Sequence, residues 1–110
     1  MTSPKIEQLQ LQQQNLQNIL MQKQQIESQL IELNSAIKEL NTTEKPYKII
    51  GRIMVASSKE TLNKELNDKK EVINLRLKNV SEQEEKVNKN IESLQKEVVE
   101  SLKEKKNEEK

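Results

Sequence analysis

The sequence predicts a mainly α protein, a long antiparallel coiled-coil hairpin of two helices joined by a short β-hairpin. Three observations carry this. Two segments each sustain an apolar seven-residue repeat, the period of a coiled-coil seam. Two β-branched runs between them flank the chain's single glycine, Gly51. The 110 residues also include one aromatic side chain, Tyr47, so an aromatic-filled globular core is excluded. At this length the chain accommodates one domain.

The first helix is expected over residues 4–42. Pro4 suits a first turn, where its missing N–H costs nothing, and Ser3 can cap it. Leu9, Leu16, Lys23, Leu30 and Ile37 fall at one seam position of the heptad. Gln12, Ile19, Ile26, Leu33 and Leu40 fall at the other. Eight of these ten are apolar, and no proline or glycine interrupts them. Pro46 stops the helix, because it lacks the amide donor and biases its predecessor away from helix.

Residues 47–56 read as the hairpin. Tyr47-Lys48-Ile49-Ile50 and Ile53-Met54-Val55-Ala56 are strand-like runs around Gly51-Arg52. The second helix follows, over 58–104, with Ser57 and Glu60 at capping-box spacing. Its seam holds Leu66, Ile73, Val80, Val87 and Leu94 at one position. Lys70, Leu77, Glu84, Ile91 and Val98 occupy the other. The tail, 103–110, is wholly charged or polar and is expected to fray. At about 1.5 Å per residue the helices extend about 55 and 68 Å, and the hairpin between them turns them antiparallel.

Composition excludes several functions. Nineteen basic residues against 18 acidic ones give a net charge of +1, which draws the chain neither to nucleic acid nor to an anionic membrane. There is no histidine or cysteine, and the carboxylates are spread along helix faces instead of converging. No catalytic residue, metal site or cofactor is therefore expected. One glycine cannot build a phosphate-cradling loop. No apolar run reaches the ~18 residues of a membrane span, and the N-terminus lacks a signal-peptide layout. A soluble, cytoplasmic protein is expected.

The strands also predict an oligomer. A half-buried strand alternates apolar and polar residues, whereas Ile49-Ile50 and Ile53-Met54-Val55 are apolar on both faces. A lone two-stranded hairpin is marginal in water, and its open edges invite pairing. Both problems are solved if hairpins of several subunits join. Tyr47, Ile49, Ile50, Gly51, Ile53, Met54 and Val55 are the expected interface, with Tyr47 filling the hairpin core.

The run Tyr47-Lys48-Ile49-Ile50-Gly51-Arg52-Ile53-Met54-Val55, with Ser58-Lys59-Glu60 and a Leu-rich helix after it, resembles the hairpin signature of β-type prefoldin subunits. The Gln-rich first helix and the helix–hairpin–helix order are similar too, so the resemblance covers essentially one prefoldin-type domain over 1–110. It implies a chaperone that works without ATP. Two α-type and four β-type subunits would form a hexamer, their hairpins building an intersubunit β-barrel. The coiled-coil tips would hold unfolded client proteins and pass them to a group II chaperonin.

On that reading the client-binding residues are Ile6, Leu9, Leu11, Val98, Val99 and Leu102, near the ends of the two helices. Leu9 and Val98 occupy seam positions and are read more simply as seam residues. Leu11, Val99 and Leu102 lie off the seam, where exposed apolar groups cost solubility unless they bind something. Ile31, Val72 and Leu75 are off-seam nearer the hairpin, where interface extension and scattered exposure compete equally. Leu20 and Met21 have no assignment. Lys23 and Glu84 could pair across the seam, although long stems reaching solvent are the favoured reading. The rival function is a structural coiled-coil adaptor or tether, which a continuous helix would serve better than an interrupting hairpin.

Overall fold

The computed structural model describes residues 4–108, with side chains to residue 104. The chain runs α1 (Pro4–Thr42), β1 (Tyr47–Ile50), β2 (Ile53–Ala56) and α2 (Lys59–Glu108).

Helix α1 has no basic residue in its last turn to answer the orphan carbonyls there. Other groups do so. The hydroxyls of Thr42 and Thr43 donate to the Glu39 carbonyl at 2.9 and 2.8 Å. The Thr43 amide donates to Leu40 O at 3.3 Å, and Lys59 Nζ of α2 donates to Asn41 O at 2.7 Å. A cation from the second helix thus caps the first.

Strands β1 and β2 pair antiparallel in the register Tyr47–Ala56, Lys48–Val55, Ile49–Met54 and Ile50–Ile53. Two residues make the turn. Gly51 takes φ +62°, and no other residue among those described has positive φ. That places glycine at the first central position of a II′-type turn, the hand that matches strand twist. A Cβ on Gly51 would meet nothing within 4 Å, so the backbone angle, not space, demands glycine.

Helix α2 starts one residue later than its sequence suggests. The Ser57 amide donates to Pro46 O at 3.1 Å, extending the ladder of the hairpin. Ser58 is the cap instead: its Oγ accepts from the Thr61 amide at 3.1 Å. At the other end α2 runs through Glu108, past the expected end at 104. Lys, Glu and Asn without Pro or Gly continue a helix already formed, since propagation costs little once the nucleus exists.

The packed residues group into two units. In one, Gln24–Lys78, the hairpin sits with the helix portions that flank it. Its most buried side chain is Leu40, 6% exposed. In the other, residues 4–23 group with residues 79–108, and Val80 and Ile91 are buried. Within each unit the covered positions follow the heptad. All ten seam positions named for α1 and all ten named for α2 are buried or half-buried.

The seam's charged pair departs from the favoured expectation. Lys23 Nζ lies 2.8 Å from Glu84 Oε2, with the side chains 30% and 21% exposed. Stems laid along a half-covered seam bring the two ends together, and a satisfied pair there costs less than two separately desolvated charges. Replacing both residues by leucine (Lys23→Leu with Glu84→Leu) is expected to stabilise the coil by about 1 kcal/mol, because a continuous apolar seam carries no desolvation cost. Thermal melting of the double variant against the two single variants measures this. A lower melting temperature for the double variant would show the pair to be net stabilising.

Candidate functional site

Alternation along the strands sorts the hairpin into two faces. Tyr47, Ile49, Met54 and Ala56 share one, and Lys48, Ile50, Ile53 and Val55 share the other. Every one of these residues is exposed except Lys48, which is half-buried, and Ile49 and Ile53 reach 69% and 66% exposure. Tyr47 is exposed as well, contrary to the expectation that it fills a hairpin core, because two strands enclose no interior. Covering an isoleucine, methionine or valine is worth roughly 1.5 kcal/mol or more apiece. Within the single chain that stabilisation is not realised, and a two-stranded hairpin alone is marginal in water.

Lys48 is anchored: its Nζ lies 2.8 Å from Glu65 Oε2 of α2. The pair ties β1 to α2, with both side chains 40% exposed. Nothing in the spacing of residues 48 and 65 marks this contact, since one lies on a strand and the other on a helix.

The second candidate surface belongs to the other unit. Leu11, Val99 and Leu102 are exposed, whereas Ile6 and the seam residues Leu9 and Val98 are half-buried. Leu11 lines a shallow groove with Gln8, Gln12, Asn90, Ser93 and Leu94, between α1 and α2. Val99 lines another with Glu92, Lys96, Glu100 and Lys103, along α2 alone. These are open grooves flanked by flexible polar stems, suited to adaptable contact and not to holding a small molecule. Leu20 and Met21 are also exposed in this unit, and Ile31, Val72 and Leu75 in the hairpin unit.

Two coiled-coil helices bracketing a bare apolar hairpin define a helix–hairpin–helix class of protein. Residues 3–106 match the family model of the prefoldin subunit. The chain is 41% identical over 103 residues to the prefoldin subunit beta of Sulfurisphaera tokodaii, an alignment covering 89% of this chain and 78% of that protein. It is 39% identical over 90 residues to the prefoldin subunit beta of Saccharolobus islandicus strain L.S.2.15, covering 79% and 71%. The crystal structure of the prefoldin beta subunit from Thermococcus strain KS-1 superposes with a TM-score of 0.86 at 30% identity, over 89% of each chain. The chain belongs to the prefoldin family, and within it to the β type. Membership gives it a chaperone-family role and implies assembly with other prefoldin subunits. No helix among the described residues is long and apolar enough to cross a membrane.

Proposed function

We propose that the protein is an ATP-independent holdase subunit of the cytoplasm, without enzymatic activity. In this reading its hairpin completes a β-barrel with those of two α-type and three further β-type subunits. The far ends of the coiled coil hold non-native proteins and deliver them to a group II chaperonin. One observation carries the reading: Leu11, Val99 and Leu102 stand exposed off the seam, as Leu20 and Met21 do in the same unit. A purely structural coil gains nothing from them, and they cost solubility when nothing covers them. Unfolded chains expose the apolar groups that such residues can cover.

The test is Val99→Ser with Leu102→Ser in subunits assembled with α-type partners. Light scattering of a denatured client, without nucleotide, should show about tenfold more complex needed for equal suppression, as expected if two apolar contacts are lost. The sedimentation of the complex should stay as in the wild type. Undiminished suppression would remove these residues from the client surface.

A further inference from the structure

We infer that the outward face of α1 between Gln8 and Gln22 is a second client-contacting surface, one that selects uncharged, extended segments of unfolded protein. This deepens the holdase reading and rests on it.

The starting point is charge. A third of the chain's residues are charged, yet the fifteen from Gln8 to Gln22 include none: they are seven Gln, two Asn and six apolar residues. In the same unit, α2 carries eleven charged residues between 79 and 104. A helix face kept in water is ordinarily studded with Lys and Glu, as α2 is. The outward amides of α1, among them Gln10, Gln14 and Gln17, are exposed, and so are Leu11, Leu20 and Met21, the last 63% exposed. Taking amides out of water against a hydrogen-bonding partner costs far less than taking out ions. The surface can therefore be covered cheaply.

The same residues say what covers it. Packing against a further helix calls for apolar residues spaced three and four apart along one stripe. Leu11 and Leu20 are nine residues apart, which places them on opposite sides of the helix at about 100° per residue. No stripe exists to seat a second coil. Separated apolar groups set among carboxamides suit an irregular extended chain instead. Each carboxamide both donates and accepts, so it can pair with either group of a client's backbone amide, while Met21, in line with Gln10, Gln14 and Gln17, and Leu11 and Leu20 on the two flanks of that face cover client side chains. Such contacts ignore side-chain sequence but penalise a buried client charge, since no counter-charge is offered. Binding at this face is therefore insensitive to salt.

The test uses the chain assembled with α-type subunits and a fluorophore-labelled unstructured peptide of Ser, Asn, Val and Leu, alongside the same peptide bearing interspersed Lys or Glu. Wild-type complex should bind the neutral peptide about fivefold more tightly than either charged one. Its affinity should change less than about twofold between about 0.05 and 0.5 M salt. Gln10→Glu, Gln14→Lys and Gln17→Glu together add charges at spacings that support the helix, so folding is retained. This variant, and separately Leu20→Ser with Met21→Ser, should each bind the neutral peptide about fivefold more weakly. Unaltered binding by both variants, or equal wild-type affinity for the three peptides, would overturn the inference. So would a change in sedimentation on Leu20→Ser with Met21→Ser, which would make the face a contact between subunits. If those results come while Val99→Ser with Leu102→Ser abolishes binding, the holdase reading stands without this surface. If wild-type complex binds no peptide at all, both readings fall.

Discussion

Ile53→Asp is expected to yield a chain whose helices form but which no longer assembles. The site is 66% exposed in the single subunit, so a carboxylate there keeps its water and leaves the helices untouched. In an assembly that covers the hairpin, the same carboxylate loses its water beside Ile50, its cross-strand partner, with no cation opposite. The only cation on that face, Lys48, is already paired with Glu65. Burying an unpaired charge at an interface costs roughly 3–5 kcal/mol, about two to four orders of magnitude in affinity. Sedimentation velocity should show free subunits at concentrations where the wild type is assembled, with helical circular dichroism unchanged. Ile49→Asp reports on the opposite face. Apolar residues on both faces predict that both substitutions act, and a complex that survives either one would mean that the face concerned stays wet.

The seam was readable residue by residue because it follows from period alone. A stripe repeating every 3.5 residues must turn toward a partner helix, whatever that helix is. The hairpin was readable for the same kind of reason: a lone glycine between β-branched runs leaves few alternatives. Contacts that depend on the relative height of the two helices were not readable. Lys23 meeting Glu84 requires a register between segments 61 residues apart, and counting back from the turn locates it only to within about two helical turns. The α2 cap was misplaced by one residue because both Ser57 and Ser58 can cap. Only the ladder bond from Ser57 to Pro46 decides between them. Tyr47 was assigned to a core on size alone, and size cannot say that the sheet has just two strands. The off-seam residues were legible as exceptions but not as a surface, since periodicity predicts what a helix buries against its partner and is silent about its other faces.

Ile91→Asp tests the opposite division of labour: it should disable the unit that holds residues 4–23 and 79–108 while sparing assembly. Ile91 is 8% exposed and sits on the seam between Val87 and Leu94, where residues from Asn79 onward pack with those up to Lys23. Truncating a buried isoleucine costs about 2–5 kcal/mol through lost transfer energy and the cavity left behind. A carboxylate adds a desolvation penalty. The narrow seam has little to set against this. In each helix it buries one stripe, and the unit's only other buried side chain among those described is Val80. The expected result is loss of amide-exchange protection over residues 4–23 and 79–108, with protection retained through 24–78. Because Leu40, the hairpin and the caps around Asn41 and Ser58 all belong to that second unit, subunits should still assemble. Suppression of client aggregation should fall together with the lost protection. Exchange that rises uniformly along the chain would mean that the two units melt as one. The separation of holding from assembling would then have no structural basis in this chain.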